Sequence, residues 1–417
     1  MKISYLLCVL LTISAISWSQ ESISLKECYD LINTNYPLTK QFGLLDSQNS
    51  LDAKAINKSR LPQFNLSAQA TYQSEVIEVP IPNSNIKPLN KDQYRATLTV
   101  NQLIYAGGLI DAQEQLKEVQ TLSQKKQVEV NLYQLKTQVN QLYFSILLMQ
   151  EKHALLLARE RQLKEKLSEV RSGVKNGVLL PSSDKILEVE LLKIQQQFME
   201  IDANKKTLMG SLSSLLDVDL KNTTSFETPL VLIENATTLL RPEIELFDLK
   251  KLELDNSEKL LSKTNSPKLS SFVTGGYGNP GLNMLDNSFQ TFYIAGLQLN
   301  WNVFDWNKTK VEKQSLAINK DIIDNEKEIF DLNISMALDE QLNEITKINS
   351  LIAADENIII LRKDVLKMKD SQLNNGVITT SDYLTEFINL YEDENTLATH
   401  KIQLELAKAN YNIIKGQ

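Results

Sequence analysis

A run of 64 residues, Leu109 to Ser172, contains neither glycine nor proline, and it constrains the fold more than any other feature of the sequence. Gly107-Gly108 precedes the run and Gly173 follows it, so helix-breaking residues mark both ends. As one α-helix it would extend roughly 95 Å at about 1.5 Å per residue. Its apolar residues recur every seven positions, which predicts coiled-coil packing against other long helices. One row of the repeat contains Leu132, Val139, Ile146, Leu167 and Val174, and the other contains Leu135, Leu142, Met149, Leu156, Leu163 and Val170.

The N-terminus has the pattern of a secretory signal peptide. Lys2 precedes an apolar run from Ile3 to Ile13, and small polar residues follow up to Gln20. We therefore expect residues 1–19 to be a signal peptide that is removed. Removal leaves Cys28 as the single cysteine, so the mature chain cannot form an internal disulfide bond. No later window reaches about 18 apolar residues, so any membrane-spanning part must consist of strands.

Two segments after the first helical region alternate apolar and polar residues, which is the period of β-strands. The first runs from Phe64 to Tyr72 and the second from Tyr94 to Val100, with a proline-containing loop between them. We therefore predict a β-hairpin over residues 62–105. A long helical hairpin should follow over residues 109–216, with Gly177 in its turn.

The same order of elements begins again about 200 residues later. Tyr72 is matched by Tyr277, 205 residues on, and Asn176-Gly177-Val178 returns as Asn375-Gly376-Val377, 199 residues on. We interpret this match as an internal tandem duplication. The predicted parts are a first structural repeat over 20–217, a connecting segment over 218–240, and a second structural repeat over 241–417 with a β-hairpin at 267–304 and a long helical hairpin at 308–415.

Four strands with one continuous apolar face do not suit a soluble sheet, because both edges of the sheet would remain open. A closed membrane barrel needs at least about eight strands, so we expect several chains to share one barrel. The polar Asn, Ser, Thr and Gln face would line a water-filled lumen. The apolar face, with residues such as Phe64, Leu98 and Leu299, would contact lipid.

The sequence resembles the TolC-like outer-membrane efflux protein family over essentially the whole mature chain. The resemblance is carried by Arg60-Leu61-Pro62, by the junction segment from Gln102 to Gly108, by the turn glycines Gly177 and Gly376, and by the duplication. It implies a mainly α-helical fold with a membrane β-barrel portion. Three chains, with four strands each, would form a 12-stranded barrel continuous with a trimeric α-helical tunnel of long coiled-coil helices.

The resemblance also implies a location and a function. The protein would lie in the outer membrane of a Gram-negative cell and extend into the periplasm. It would passively export small molecules delivered by a periplasmic adaptor (membrane fusion protein) and an inner-membrane efflux transporter. Its partners would be two further copies of itself, the adaptor, the transporter and outer-membrane lipid.

Two groups of site residues follow from the resemblance. The turns of the two helical hairpins would dock the adaptor, although glycines at helix ends are also ordinary helix-stop turns. Tyr105, Gly107 and Gly108 would form the strand–helix junction. The expected docking residues are Gly173, Asn176, Gly177, Val178, Asn375, Gly376 and Val377.

A periplasmic gate is expected just after the second turn. Asp382 matches the first of the acidic residues that narrow the entrance in the family. Thr385 and Ile378 depart from the family pattern, and Glu386 would substitute for the second acidic residue. A ring of three carboxylates would attract cations. The alternative for Asp382 is a helix N-terminal carboxylate without a gating role.

Several function classes are disfavoured. Two histidines, one cysteine after the signal peptide, and the absence of a phosphate-binding loop or nucleophile motif leave no catalytic residues, no metal site and no cofactor to propose. A net charge of −8 argues against a nucleic-acid partner. The duct of a type I protein-secretion system remains an alternative with the same fold. A soluble periplasmic coiled-coil adaptor and a structural envelope protein are weaker alternatives, because an adaptor would not need two hairpins with aromatic, lipid-suited faces.

Overall fold

The computed structural model describes residues 22–77, 88–221, 223–233 and 239–417. The predicted signal peptide, residues 1–19, lies outside the described residues. A turn of 3₁₀-helix at Pro37–Thr39 separates the first two helices. The helices are α1 (Leu25–Asn35), α2 (Lys40–Lys58), α3 (Leu109–Lys175), α4 (Ser183–Leu216), α5 (Pro242–Thr264), α6 (Lys308–Asn374) and α7 (Thr380–Lys415). The strands are β1 (Ser22–Ile23), β2 (Gln63–Tyr72), β3 (Asp92–Tyr105), β4 (Ser225–Phe226), β5 (Lys268–Asn279) and β6 (Gln290–Asn300).

The chain divides into two compact units, and each unit is assembled from separate segments. One combines the described part of Met1–Thr39 with Val128–Pro242 and Ile329–Gln417, and the other combines Lys40–Gln127 with Glu243–Glu328. Each unit therefore takes segments from both predicted repeats, so compact units and sequence repeats do not coincide. The repeat boundaries stay a prediction.

The seven-residue repeat of α3 is buried where other helices pack on it. Leu156 and Leu163 have no exposed surface, and they form one apolar cluster with Leu187 and Ile194 of α4 and Leu373 of α6. Full burial of a leucine side chain contributes about 1.5–3 kcal/mol. Packing on this row therefore stabilises the long helix more than helix propensity does. None of the helices in the described part of the chain is apolar enough over a sufficient length to span a membrane.

The larger sheet is antiparallel, with the strand order β2-β3-β5-β6. Pairing of β3 with β5, for example Val100 opposite Val273, joins the two hairpins into one sheet. The outer strands are β2 and β6, and within the described residues neither pairs with a further strand along its outer edge. The sheet is therefore open on both sides.

One face of this sheet is mainly apolar on all four strands, with Ser271 and Thr291 as polar residues on β5 and β6. Opposite pairs such as Leu66–Leu98 and Val273–Ala295 place these side chains on a common face. Leu66 is 79% exposed and Leu297 is 70% exposed, so among the described residues most of this face is uncovered. Phe289 stacks on Tyr94 and Tyr277 at one end of it. Its apolar members are Phe64, Leu66, Ala68, Ala70, Tyr72, Tyr94, Ala96, Leu98, Val100, Leu269, Val273, Gly275, Tyr277, Tyr293, Ala295, Leu297 and Leu299.

The opposite face is polar only on the first hairpin, which corrects the expectation of a uniformly polar face. On the second hairpin this face carries Phe272 and Phe292, each directly opposite a glycine, Gly296 and Gly276 respectively. A Cβ on Gly276 would lie 2.3 Å from Phe292 Cζ, so each aromatic ring occupies the space that the glycine leaves. Sequence alternation missed this because both faces of these strands contain apolar residues.

Candidate functional site

The first helical turn ends α3 through a Schellman motif. The Val178 N–H donates to the Gly173 carbonyl oxygen at 2.9 Å, and the Gly177 N–H donates to that of Val174 at 3.1 Å. Gly177 has φ +74°, a left-handed conformation that glycine adopts without steric cost. Asn176 occupies the helix C-cap position. Gly173 is needed for a separate reason, because a Cβ there would lie 2.9 Å from Leu179 Cδ1.

The second helical turn ends α6 by the same motif. The Val377 N–H donates to the Gln372 carbonyl oxygen at 2.9 Å, and the Gly376 N–H donates to that of Leu373 at 2.9 Å. Gly376 has φ +69°, and Asn375 is at the C-cap. The two turns thus share one backbone geometry, as expected if glycine and asparagine serve first as helix-stop residues.

The two turns line a common recess of about 660 Å³. Val178 is 57% exposed and Val377 is 71% exposed, although a residue at this position of a Schellman motif often packs back onto its helix. Leu180 in the first turn is also exposed. The turns therefore present apolar side chains to solvent beside a recess of mixed polar and apolar lining. Docking of a partner at these residues stays a prediction.

Asp382 caps helix α7. Its N–H donates to the Thr379 hydroxyl at 3.2 Å, and its carboxylate accepts from the Thr379 hydroxyl at 2.7 Å and the Thr379 N–H at 3.0 Å. This is a reciprocal capping box at the N-terminus of α7. The two hydrogen bonds that the carboxylate accepts lower the pKa of Asp382 below its ordinary value, and the bond from the Thr379 hydroxyl has the larger effect. Asp382 therefore remains ionised at an exposed helix N-terminus, whether or not it also gates a pore.

Glu386 is held by an arginine from the preceding helix. Arg362 Nη1 lies 3.0 Å from Glu386, and Arg362 Nε lies 2.9 Å from Asp393. The pair compensates the charge of Glu386 within one chain. Thr385 directs its hydroxyl to the Ser381 carbonyl oxygen at 3.0 Å. A gate formed by Asp382 and Glu386 stays a prediction, and Asp382 is the more exposed charge of the two.

A buried lysine near these turns was missed in the sequence. Lys166 of α3 donates to Glu169 at 2.8 Å and to the side chain of Asn374 at 3.1 Å, and it forms an ion pair with Asp370 of α6. Its ammonium lies 5.2 Å from the ring centroid of Tyr383 on α7. One side chain therefore contacts three helices beside the turns.

A second buried cation lies one heptad earlier. Arg159 pairs with Glu190 of α4, and both side chains are buried. Its guanidinium lies 4.3 Å from the ring centroid of Tyr391, a cation–π geometry. Basic residues at 152, 159 and 166 recur every seven positions, and this was the sequence signal that could have found them.

The strand–helix junction depends on left-handed backbone at two successive residues. Gly107 has φ +64° and Gly108 has φ +80°. A Cβ on Gly107 would lie 2.2 Å from Ser266 Cβ, so no other residue fits at this position without displacement. Tyr105, the last residue of β3, pairs with Leu269 beyond a β-bulge and is exposed. The sequence also matches Tyr105 to Phe304, 199 residues later. It did not reveal that Trp306 and Asn307, the counterparts of Gly107 and Gly108, have positive φ.

The chain was compared with known proteins. No family model matches it, and no curated protein sequence does. Three of the solved structures that resemble it are CusC, described as forming a transmembrane channel, the Campylobacter jejuni CmeC outer membrane channel, and the Vibrio cholerae outer membrane protein VceC.

The likeness to these three structures extends over nearly the whole chain. For CusC the TM-score is 0.68 at 12% identity, covering 94% of this chain and 92% of that one. For CmeC the TM-score is 0.63 at 15% identity, covering 96% of this chain and 90% of that one. For VceC the TM-score is 0.65 at 13% identity, covering 94% of this chain and 96% of that one. The chain therefore has the fold of these proteins, and the resemblance predicted from the sequence is confirmed at the level of the fold.

Proposed function

We propose that three copies of this chain close one twelve-stranded β-barrel and continue it as a helical tunnel, forming the outer-membrane duct of a tripartite efflux system. The observation that carries the proposal is the sheet with two open edges. Within the described residues, β2 and β6 leave their outer backbone groups without strand partners. A sheet in a membrane must close, because unpaired backbone groups in hydrocarbon cost several kcal/mol each.

The helices beside the two open edges support a head-to-tail contact between copies. α2 leads into β2 and exposes Leu44 and Leu51, which are seven residues apart. α6 follows β6 and exposes Val311 and Ile318, also seven residues apart. Pairing of β6 in one copy with β2 in the next would bring these apolar rows together. Such a heterologous contact closes into a ring, and three copies is the number that the family resemblance implies.

The two faces of the sheet suit a membrane-spanning wall. The apolar face is exposed over all four strands, whereas a soluble protein would bury it. A soluble coiled-coil adaptor has no use for such a sheet, which disfavours that alternative. Transport through the duct would be passive, with energy supplied by an inner-membrane transporter. The adaptor would bind at the turns that contain Val178 and Val377. Efflux and protein secretion both use this fold, so the two functions differ in the cargo that is exported.

Cross-linking between copies tests the proposal. The native Cys28 is buried, so engineered cysteines would react on a clean background. We expect Leu51→Cys combined with Ile318→Cys, treated with a short bifunctional thiol reagent in outer-membrane extracts, to give covalent dimers and trimers. Each single variant is the matched control and should give at most a dimer. Monomers only, together with recovery of the protein without detergent, would contradict the proposal.

A further inference from the structure

Exposed aromatic side chains surround the end of the sheet at which the strands meet the long helices. We call this end the rim and define it as residues 58–60, 105–111, 263–268 and 301–310. Tyr105, Trp301, Phe304 and Trp306 are between 56% and 85% exposed there. Bands of aromatic residues at this level are typical of a membrane–water interface, where the ring is apolar and its polar group stays hydrated.

Trp306 keeps a backbone conformation that disfavours a side chain. Trp306 has φ +53° and Asn307 has φ +63°, and they lie 199 residues after Gly107 and Gly108, which adopt the same conformation as glycines. Packing does not explain a tryptophan here, because the side chain is 85% exposed and contacts mainly Phe304, with 4.9 Å between ring centroids. Backbone strain at an exposed residue indicates a function for its side chain.

The rim is positively charged in an acidic protein. It contains six cations and two carboxylates, whereas the whole chain has a net charge of −8. At the opposite end of the sheet, the described residues 73–77, 88–92 and 279–290 carry one cation and three carboxylates. The charged residues of the rim are Lys58, Arg60, Lys263, Lys268, Lys308, Lys310, Asp111 and Asp305.

Both rim carboxylates are used within the protein. Asp111 pairs with Arg60. Asp305 accepts hydrogen bonds from the Thr309 N–H at 3.0 Å and from the side-chain amide of Asn265 at 2.7 Å. Within the described residues Lys263 has no ion pair. The Lys263 side chain would lie 3.7 Å from a Cβ on Gly108. Lys308 lies 3.7 Å from Glu312, but within the described residues no ion pair is formed by Lys58, Lys263, Lys268 or Lys310. These four lysines can therefore interact with a group outside the chain.

Lys263 and Arg60 line one recess of about 370 Å³ at the junction. Tyr105, Gly107 and Gly108 form part of its wall, and its surface is mainly polar. Asp111 also lines the recess and pairs with Arg60, which leaves the Lys263 ammonium as the cation there without an ion pair among the described residues. The recess is large enough for a phosphate group, whose oxygens suit an ammonium and a guanidinium donor. It lies at the same level as the exposed aromatic rings.

We infer that the rim binds the phosphate groups of anionic phospholipids in the leaflet that faces the helices, with Trp306 inserted at the headgroup level. The inference rests on the proposed function, because it requires the sheet to span a membrane. Each basic residue close to an anionic membrane surface strengthens binding about fivefold. The rim would fix the depth of the duct in the membrane. Phosphatidylglycerol is the anionic phospholipid used as the probe.

Vesicle binding tests the charge part of the inference. Outside the signal peptide the chain has only Trp301 and Trp306, both in the rim, so tryptophan emission reports on this surface directly. The detergent-solubilised protein would be mixed with phosphatidylethanolamine vesicles with or without phosphatidylglycerol. We expect Lys263→Gln with Lys308→Gln and Lys310→Gln to weaken partition onto the anionic vesicles by about a hundredfold. Inorganic phosphate in place of vesicles should leave the emission unchanged.

Three exposed lysines outside the rim provide the matched control. A variant in which Lys206, Lys259 and Lys367 are all changed to Gln loses the same amount of charge. Its partition onto the anionic vesicles should stay within about twofold of the parent. Equal loss in both triple variants would overturn the inference. The parent and both variants should retain cross-linked trimers and bilayer conductance, and failure of these in the parent would count against the duct itself instead.

The Trp306→Gly variant tests the aromatic part. Glycine relieves the left-handed backbone, so the variant should fold at least as well as the parent. We expect the remaining tryptophan emission to show less quenching by lipids brominated close to the headgroup, and partition to fall severalfold. Unchanged partition in a stably folded Trp306→Gly protein would show that the indole does not anchor the rim.

Discussion

Lys166 of α3 lies 3.1 Å from the side-chain oxygen of Asn374, the last residue of α6 before the second turn. The lysine is buried, and it also pairs with Asp370 of α6. A buried ammonium is stable only when it is paired, so these contacts fix the spacing of the two long helices beside their turns.

Lys166→Met should lower the free energy of unfolding by about 1–3 kcal/mol, because Asp370 and Asn374 lose a charged partner at a half-buried site. Lys164→Met is the control, since the Lys164 side chain is 58% exposed in its pair with Glu160 and should matter by less than about 0.5 kcal/mol. Denaturant unfolding of the detergent-solubilised protein measures both. Equal effects would mean that the contacts of Lys166 contribute nothing beyond a surface pair.

Gly107→Ala should prevent the strand–helix junction from forming in its present geometry. The Cβ would lie 2.2 Å from Ser266 Cβ at a left-handed φ of +64°. We expect a loss of more than about 2 kcal/mol and a reduced yield of membrane-inserted protein. Gly43→Ala is the control, because nothing lies within 4 Å of its Cβ position inside α2. That change should stabilise the protein by roughly 0.5–1 kcal/mol, and a harmful Gly43→Ala would contradict the argument.

Regular patterns made much of the fold predictable. The seven-residue repeat identified Leu156 and Leu163 as packing residues, because helix period and burial are coupled along one chain segment. The period-two alternation located both hairpins for the same reason. The Gly-Gly dipeptide indicated the first junction, since glycine is the residue that adopts positive φ readily.

Features that depend on distant partners were not predictable. Lys166 reads as a solvent-facing charge until Asp370, some two hundred residues later, is brought against it. Glu386 was proposed as a gate residue without knowledge of Arg362, which holds it from the preceding helix. Trp306 gave no local signal of a left-handed backbone, because tryptophan has no preference for that region.

Phe292→Ala should destabilise the sheet, because Phe292 packs on the face opposite the apolar one. The ring of Phe292 fills the space above Gly276 and lies 5.6 Å from the Arg95 guanidinium. Its removal exposes glycine backbone in the middle of a strand, and we expect a loss of about 1–3 kcal/mol. Tyr293→Ala is the neighbouring control on the opposite face, 79% exposed, and should have a smaller effect in detergent. Thermal unfolding of both variants would decide the point, and a larger effect at Tyr293 would refute it.

Acid should loosen the second turn by protonating Asp382. Its folded pKa lies below the ordinary value of 3.8, because the Thr379 hydroxyl and N–H donate to the ionised carboxylate. A carboxylate with a depressed folded pKa stabilises the folded state above the ordinary value, and this contribution is lost as pH falls through the folded pKa. Hydrogen exchange at the start of α7 should therefore accelerate below about pH 3.8 after correction for intrinsic rates.

Asp382→Asn separates capping from charge in this test. Asparagine can still accept one hydrogen bond from Thr379 but has no proton to gain, so the exchange of α7 amides should be faster than in the parent at neutral pH and independent of pH in the acid range. Thr379→Ala should also speed exchange at neutral pH, because the hydroxyl bond is lost, but it keeps the Asp382 carboxylate and should therefore keep a dependence on pH. If the acid-induced acceleration persisted in Asp382→Asn, another carboxylate would be responsible. Asp370 and Glu386 both lie near the turn and would be the next groups to neutralise.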